Sequence, residues 1–354
     1  MERHSRQIDL GGIKIGGGAP VTVQSMTKTD TRDIVSTVAQ IKSLETAGCD
    51  IVRLAVPDMD AAEALGEIKR QTNIPIVSDI HFDYKLALES VRQGVDGMRI
   101  NPGNIGAKYR IKAVVDAVKE RGIPIRIGVN SGSLEKDILK KHGSPTPEAL
   151  AESALRHVRI LEDLDFRDTK ISVKSTDVRM TVNAYRILAE RTDYPLHLGV
   201  TEAGTYELGA IKSSIGIGTL LAEGIGDTIR VSLTGDPVDE ISVGLNILKS
   251  LGLRNKGIEL ISCPGCGRLE IDLMKLVKDV EDRISHIDLP RPVKVAILGC
   301  VVNGPGEASE ADIGIAGGRG KGMMYKDGKL IRSFKEHEIV DELVKELETF
   351  TEGS

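Results

Sequence analysis

The sequence contains no tryptophan, and aromatic residues make up only 3% of its 354 positions. Surfaces that bind single-stranded nucleic acid depend on aromatic side chains for base stacking, so such a function is disfavoured. The formal net charge is −5, which also argues against a general attraction to nucleic acid. We therefore expect no nucleic-acid partner.

Long apolar stretches are lacking as well. No run approaches the roughly 20 apolar residues that a membrane-spanning helix needs. The polar N-terminus, MERHSRQIDLGG, lacks the apolar core of a signal peptide. With 40% hydrophobic and 28% charged residues, the composition is that of an ordinary globular protein. We expect a cytoplasmic protein with no membrane partner.

Cysteine is scarce, with four in the chain. Cys263 and Cys266 form a CxxC pair, and Cys300 follows it along the chain. Cys49 lies far away, where a small buried hydrophobic residue fits the pattern. Four cysteines make no disulfide framework in a chain of this size, whereas a CxxC pair is typical of metal or redox chemistry.

Short apolar segments alternate with amphipathic ones between residues 20 and 235. Eight segments have the composition of strands: Val21–Met26, Ile51–Val56, Pro75–Ile80, Gly97–Pro102, Pro124–Asn130, Lys170–Ser175, Leu196–Thr201 and Thr228–Leu233. The segments between them have helical spacing, as in Ile34–Ala47 and Pro147–Leu164. Eight such parallel units predict an α/β fold with a TIM-type (β/α)8 barrel. We expect Gly11–Gly18 to form a turn-rich plug at the barrel bottom, and Ser131–Pro145 an extended loop.

A second pattern begins after the helix predicted over Val238–Leu251. It comprises these elements: strand Ile258–Ser262, helix Leu269–Ile284, strands Val293–Leu298 and Asp312–Ala316, a hairpin around Asp327 and a final helix Glu336–Thr349. We predict a barrel over residues 1–252, which binds the substrate, and a small α/β domain over residues 253–354, which carries the cysteines.

Basic residues lie near the carboxyl ends of five predicted barrel strands: Arg53, Arg99, Arg126, Lys174 and Arg230. The active sites of such barrels form at these ends. A buried cation is costly unless an anion meets it, and guanidinium groups match phosphate oxygens. The pattern predicts a site for a highly charged anion such as a diphosphate. Pairing of each cation with a barrel carboxylate is the alternative.

Further polar residues lie at the same strand ends: Gln24, Asp79, His81, Asn101, Asn130, Thr201, Glu202 and Ser232. Glu202 would be the main carboxylate among these cations. It could move a proton there, or it could only pair with one of the arginines. His81 is a candidate for a phosphate contact.

The cysteines of the second domain suggest a reactive metal centre. Closed zinc sites and plain electron-transfer clusters usually have four Cys or His ligands. Here Cys263, Cys266 and Cys300 provide three, and Glu307 follows in the run CVVNGPGE. We favour a [4Fe–4S] cluster with Glu307 on the fourth iron, in a displaceable position. A zinc site with a fourth ligand from elsewhere remains open.

These motifs resemble the 4-hydroxy-3-methylbut-2-enyl diphosphate synthase (IspG or GcpE) family of the non-mevalonate isoprenoid pathway, in its bacterial two-domain form. The matching segments are VQSMT (23–27), VRLAVP (52–57), SDIHFDY (78–84), RINPGN (99–104), RIGVNSGSLE (126–135), GVTEAG (199–204), SCPGCGR (262–268) and GCVVNGPGE (299–307). The resemblance covers nearly the whole chain, and the last two segments at their spacing are highly specific.

The resemblance implies a two-electron reductive ring opening, with loss of water. The substrate would be 2-C-methyl-D-erythritol 2,4-cyclodiphosphate, and the product 4-hydroxy-3-methylbut-2-enyl diphosphate. Ten residues would bind the cyclic diphosphate: Arg53, His81, Arg99, Asn101, Arg126, Asn130, Lys174, Thr201, Arg230 and Ser232. Glu202 would act as an acid, and Glu307 would leave the cluster to admit the substrate.

The implied partners are a flavodoxin or a ferredoxin as electron donor and a second copy of the chain. In the implied head-to-tail homodimer, the cluster domain of one subunit caps the barrel of the other.

Two other functions remain open. A transferase resembling dihydropteroate synthase would explain the basic strand ends but gives Glu307 no role. An electron carrier or cluster scaffold would explain the cysteines but leaves the basic strand ends without one.

Overall fold

The computed structural model describes residues 3–254, 257–284, 287, 289, 291–302 and 304–350. The chain divides into two compact units, Met1–Leu253 and Arg254–Ser354. Each unit has its own hydrophobic core. Every helix in the described part of the chain is too short or too polar to span a bilayer.

A hairpin of two antiparallel strands, β1 (Ile8–Leu10) and β2 (Ile13–Ile15), lies near the start of the first unit. Its apolar side chains pack against Ile51 and Val77 at the amino-terminal ends of two barrel strands. The predicted plug at the barrel bottom is therefore confirmed. However, the glycine-rich segment is not a plain loop, because Gly11 and Gly12 form the turn of a regular hairpin.

Eight parallel strands form the barrel. They are β3 (Thr22–Met26), β4 (Ile51–Ala55), β5 (Ile76–Asp79), β6 (Gly97–Arg99), β7 (Ile125–Asn130), β8 (Thr169–Lys174), β9 (His197–Leu198) and β10 (Thr228–Ile229). They pair in the order β8-β7-β6-β5-β4-β3-β10-β9. A parallel bridge between Ile171 and Leu196 joins β8 to the residue before β9, which closes the sheet. The predicted (β/α)8 barrel is confirmed.

Ten helices in the described part of the first unit surround the barrel. They are α1 (Ile34–Thr46), α2 (Met59–Arg70), α3 (Tyr84–Arg92), α4 (Pro102–Ile105), α5 (Lys108–Arg121), α6 (Lys136–His142), α7 (Pro147–Glu162), α8 (Val178–Arg191), α9 (Tyr206–Ala222) and α10 (Pro237–Ser250). Several begin at an aspartate that caps the first turn; Asp58, for example, accepts a hydrogen bond from the backbone N–H of Ala61 at 3.0 Å.

The prediction of an extended loop over Ser131–Pro145 is wrong in detail. It contains a 3-10 turn, Ser131–Ser133, and helix α6. Ile138 of α6 is fully buried, so tertiary packing stabilises a short helix that its lysine-rich sequence did not reveal.

The second unit is a five-stranded sheet with helices. Its elements are β11 (Gly257–Ser262), α11 (Leu273–Ile284), β12 (Pro292–Leu298), α12 (Gly304–Ala308), β13 (Ile313–Gly318), β14 (Lys321–Lys326), β15 (Lys329–Lys335) and α13 (Ile339–Glu348). Strands β11 to β13 are parallel, whereas β14 and β15 run antiparallel. Helix α11 starts later than the predicted Leu269, because Asp272 caps it by accepting from the N–H of Lys275 at 3.2 Å.

Candidate functional site

The carboxyl ends of the barrel strands enclose a cavity of about 190 Å³. Its lining residues are Met26, Arg53, Asp79, His81, Arg99, Arg126, Gly128, Asn130, Ser172, Lys174, Thr201, Arg230 and Ser232. They come from all eight strands or from the residues that directly follow them. This is the end of the barrel where βα loops converge and where catalytic residues collect.

Nine of the ten residues predicted to bind substrate line this cavity. The exception is Asn101, whose buried side chain binds the backbone of Gly128. Its amide donates to the Gly128 carbonyl at 2.9 Å and accepts from the Gly128 N–H at 2.9 Å. Asn101 thus holds one wall of the cavity in place.

Cations dominate the cavity. Arg53, Arg99, Arg126, Lys174 and Arg230 all line it, and Asp79 is the carboxylate among the described lining residues. Asp79 Oδ1 accepts from Arg99 Nη1 at 3.1 Å, and Oδ2 lies 3.6 Å from Arg53 Nε. Burial alone would raise the pKa of Asp79. The charge of Arg53, a hydrogen bond with His81 and the charge of Arg99 outweigh burial and lower the pKa well below its usual range.

Two of the cations each have a buried nitrogen without a hydrogen-bond partner among the described residues. Arg126 is 2% exposed, and its Nη1 donates to Gln24 Oε1 at 3.2 Å. Among the described residues, neither Arg126 Nε nor Arg230 Nε finds a hydrogen-bond partner. Burial, followed by the charges of Arg53 and Arg99, lowers the pKa of Arg126 well below its usual value. An anion entering the cavity would supply the missing partners.

Burial also lowers the pKa of two further cations, Arg53 and Lys174. It lowers the pKa of Arg53 to about 10, although the charge of Asp79 acts in the opposite direction. Burial and the charge of Arg230 lower the pKa of Lys174 well below its usual value. A bound phosphate would reverse these shifts, because an opposite charge nearby favours the charged form of each group.

Two glycines leave the space that basic side chains of the cavity occupy. A Cβ at Gly128 would lie 2.6 Å from Arg99 Nε. A Cβ at Gly199 would collide with Lys174 Nζ and with the backbone carbonyl of Arg230. The basic side chains therefore lie against bare backbone at both positions.

Glu202 lies in the turn after β9, next to Thr201, which lines the cavity. Its side chain is exposed and is not among the lining residues. Its backbone φ is 50°, in the left-handed region that residues with a Cβ adopt only at a cost. Strain of this kind is often found at functional turns. The structure places Glu202 next to a cavity-lining residue in the chain and outside the lining itself.

The sequence reasoning missed two lining side chains. Met26 accepts through its sulfur from Arg53 Nε at 3.2 Å and from Arg53 Nη2 at 2.9 Å. Ser172 lies between Lys170 and Lys174 in the alternation of β8. Both follow the period of two that points every second strand residue inward, so this periodicity could have found them.

A second cavity, of about 550 Å³, lies within the second unit. Cys263, Cys266, Cys300 and Glu307, the four predicted ligands, are all among its lining residues. Cys263 directly follows β11, Cys300 lies shortly after β12, and Glu307 belongs to α12. Among the described residues, no three His, Cys, Asp or Glu side chains are arranged so that they could hold a metal ion.

The surroundings of these thiols differ from those of Cys49. The N–H of Gly299 donates to Cys263 Sγ at 3.5 Å. Arg268 and Lys294, which the sequence reasoning did not single out, also line the cavity. Cys49 is buried in the barrel core, as predicted, and burial raises the pKa of its thiol to about 12. All four cysteines lie in the described part of the chain, and none forms a disulfide.

The sequence matches two family descriptions that together span most of the chain. Residues 5–245 match the GcpE TIM-barrel domain, and residues 259–349 match the GcpE protein C-terminal domain. The chain belongs to the GcpE family. The predicted resemblance is thus confirmed, and the transferase and electron-carrier alternatives are set aside.

Relatives of this family are similar over nearly their whole length. A protein of Thermodesulfovibrio yellowstonii is 58% identical over 345 residues, which cover 98% of each chain. One of Clostridium perfringens is 60% identical over 347 residues, covering 98% of this chain and 99% of the relative. Both are named 4-hydroxy-3-methylbut-2-en-1-yl diphosphate synthase (flavodoxin).

Solved structures with a similar barrel include two dihydropteroate synthases. The Yersinia pestis enzyme superimposes with a TM-score of 0.51 at 10% identity, covering 70% of this chain and 99% of that one. The Stenotrophomonas maltophilia enzyme gives a TM-score of 0.51 at 13% identity, with 70% and 97% covered. At this identity the likeness shows the fold alone.

Proposed function

We propose that the chain catalyses the reductive ring opening of 2-C-methyl-D-erythritol 2,4-cyclodiphosphate to 4-hydroxy-3-methylbut-2-enyl diphosphate, with two electrons and loss of water. The observation that carries this proposal is the excess of buried cations in the barrel cavity. Family membership supports it, because a relative that is 60% identical to this chain bears the name of this synthase.

The barrel binds the cyclic diphosphate. Arg53, Arg99, Arg126, Lys174 and Arg230 pair with phosphate oxygens, and their burial strengthens each contact. The remaining contacts are hydrogen bonds from four further polar side chains: His81, Asn130, Thr201 and Ser232. Asn101 keeps the Gly128 wall in position. Held at both phosphates, the ring has one orientation toward the reacting groups.

Glu202 donates the proton. The oxygen that leaves the substrate as water must be protonated, and a carboxylic acid next to the cavity-lining Thr201 can supply that proton. Thr201, its neighbour, binds the ligand and so fixes the distance between acid and substrate.

Cys263, Cys266 and Cys300 would hold a [4Fe–4S] cluster, with Glu307 as the fourth ligand. The donor set fits such a cluster, because three thiols and one carboxylate line a single cavity and a backbone N–H already points to Cys263 Sγ. When bound, the cluster supplies the two electrons and acts as a Lewis acid. Glu307 would supply an oxygen ligand, which would bind iron more weakly than a thiolate does.

The partners follow from the same proposal. The relatives' names include flavodoxin, and we extend this electron donor to the present chain, with a ferredoxin as the other outcome. A head-to-tail homodimer brings the thiols of one copy to the barrel of the other. The reaction belongs to the cytoplasm.

An anaerobic spectrum tests the proposal. We expect protein purified without oxygen to be brown, with broad absorbance near about 400 nm. The cyclic diphosphate should change this absorbance, and a chemical reductant should then yield product. Cys300→Ala should lose iron and absorbance while keeping the barrel intact.

A colourless protein that holds one equivalent of zinc would support the structural zinc site instead. A brown protein to which the cyclic diphosphate does not bind would contradict the substrate assignment.

A further inference from the structure

The carboxylate of Glu240 is buried beside the barrel cavity without lining it. Glu240 lies in the first turn of α10 and is 1% exposed. Its Oε2 accepts a hydrogen bond from Ser25 Oγ at 3.0 Å, and its Oε1 accepts from the backbone N–H of Leu233 at 3.1 Å. Ser25 belongs to β3, and Leu233 follows β10. One carboxylate therefore connects two neighbouring strands.

Among the described residues, the backbone pairing of β3 with β10 ends before it reaches Ser25. The parallel β3–β10 register joins Thr22 to Thr228 and Val23 to Ile229. Beyond these pairs, the hydrogen bonds of Glu240 to Ser25 and Leu233 connect the two chain segments in place of backbone pairing. Lys28 assists, because its Nζ lies 3.5 Å from Glu240 Oε1 and donates to the Leu233 carbonyl at 3.0 Å. The segment held in this way is the one that presents Arg230 and Ser232 to the cavity.

Arg230 connects Glu240 to the cations of the cavity. Its Nη2 lies 3.7 Å from Glu240 Oε2. Burial lowers the pKa of Lys174, the charges of Arg230 and Arg126 lower it further, and the charge of Glu240 acts in the opposite direction. A fixed negative charge at this point stabilises the whole group of basic side chains while no ligand is bound.

We propose that Glu240 is a positioning residue that acts through Arg230 as a built-in counter-anion of the barrel site. It keeps the Arg230–Ser232 segment in place and makes the cation-rich cavity stable before a phosphate-bearing ligand enters. The same charge opposes the incoming anion and so reduces the affinity. This inference rests on the proposed function, since it takes the cavity as the diphosphate site.

Glu240→Gln removes the negative charge of the side chain and keeps its ability to form both hydrogen bonds. The glutamine oxygen can still accept from the Leu233 N–H, and its amide nitrogen can donate to Ser25 Oγ. We expect the ligand-free variant to melt at a lower temperature than wild type. Inorganic pyrophosphate should raise its melting temperature by more than it raises that of wild type.

The binding and rate constants should change in the same experiment. We expect the Kd for pyrophosphate to fall roughly three- to tenfold, because a repelling charge near the site is gone. With the cyclic diphosphate, KM should fall and kcat should also fall, because Arg230 has lost its charged partner. A purely structural role would lower stability without this split.

Asp227→Asn is the matched control. Asp227 is also largely buried, accepts from Ser5 Oγ and from the N–H of Leu196, and lies 3.5 Å from Arg3 Nη1. It directly precedes β10, at the amino-terminal end of the barrel. We expect this variant to melt at a lower temperature than wild type. Pyrophosphate should raise its melting temperature by the same amount as that of wild type.

The outcomes separate the two proposals. An equal pyrophosphate response in wild type and Glu240→Gln would overturn the role of Glu240 and leave the anion site standing. No response in wild type would overturn the diphosphate site, and this inference with it. If Glu240→Gln does not fold, Glu240→Asp keeps the charge, and its Kd should stay within about twofold of wild type; a clear tightening would contradict the proposal.

Discussion

Single residues in the barrel cavity oppose folding and favour binding at the same time. Arg126 shows this most clearly, because it is almost fully buried and its Nε lacks a partner among the described residues. A buried cation without a counter-charge destabilises the folded chain, whereas the same cation binds an anion strongly. Stability and affinity should therefore respond in opposite directions to one substitution.

Arg126→Met should weaken binding of the cyclic diphosphate about 10- to 150-fold, as expected when a charged hydrogen bond of about 1.5–3 kcal/mol is lost. Its thermal stability without ligand should be unchanged or higher, since an apolar side chain of similar length often replaces a buried charge without loss. Calorimetric titration and a melting curve measure the two effects. Arg92→Met, on the exposed face of α3, should change neither. An unchanged affinity would place Arg126 outside the binding site.

Glu202→Gln tests the acid. We expect the cluster spectrum and the substrate affinity to be retained while turnover falls by about 10² or more, the usual scale for an acid–base group. Single-turnover kinetics with reduced enzyme measure this directly. Near-normal turnover would show that the proton comes from elsewhere.

The sequence allowed most of the cavity residues to be predicted, because the end of a barrel strand is a position that a linear pattern reveals. Asn101 also lies at a strand end, but its amide binds Gly128 instead of facing the cavity. Glu240 was not predicted at all. It reaches the site from a helix, and only the three-dimensional fold brings its carboxylate to Ser25 and Leu233.

At the scale of strands, bare backbone is as important as the side chains. Gly128 of β7 leaves room for Arg99, whose Nη2 donates to the Gly128 carbonyl at 2.8 Å. The sequence shows the glycine in RIGVN but not which side chain fills the space above it.

Gly128→Ala should displace Arg99, because the new Cβ would lie 2.6 Å from its Nε. We expect roughly a 1–3 kcal/mol loss of stability from overpacking and at least about a tenfold loss of diphosphate affinity. Gly132→Ala, a few residues further along the chain, has no atom within 4 Å of its new Cβ. This variant should match wild type in both measurements. Equal behaviour of the two variants would show that the Gly128–Arg99 packing is unimportant.

The sequence pattern also predicted which segments are strands better than it predicted where each strand ends. All eight predicted barrel strands are present, but β9 and β10 have only two residues each. The predictions extended to Thr201 and Leu233, because apolar residues continue beyond the ladder. Side chains such as Glu240 and Lys28 hold the chain there, and the hydropathy pattern does not distinguish them from strand pairing.

At the scale of the whole molecule, the two units have separate cores and separate sets of functional residues. Every residue that lines the barrel cavity lies between Met26 and Ser232, whereas the thiol cavity uses residues 261–311. Binding of the diphosphate should therefore need only the first unit, and turnover should need both.

A fragment of residues 1–252 should fold and bind the cyclic diphosphate within about tenfold of the full chain, since its phosphate contacts are all present. It should show no absorbance from a cluster and no turnover. Circular dichroism and calorimetry measure folding and binding, with full-length Cys300→Ala as the comparison. A folded fragment that does not bind would show that the second unit supplies essential contacts.

The hairpin of β1 and β2 sets the route of exchange for the barrel. Ile8, Leu10 and Ile15 pack against Ile51 and Val77, so in the described part of the chain the hairpin covers the amino-terminal end of the barrel. A ligand of the cavity at the carboxyl end would therefore enter and leave on the same side of the barrel, so a bound product would have to depart before the next ligand binds.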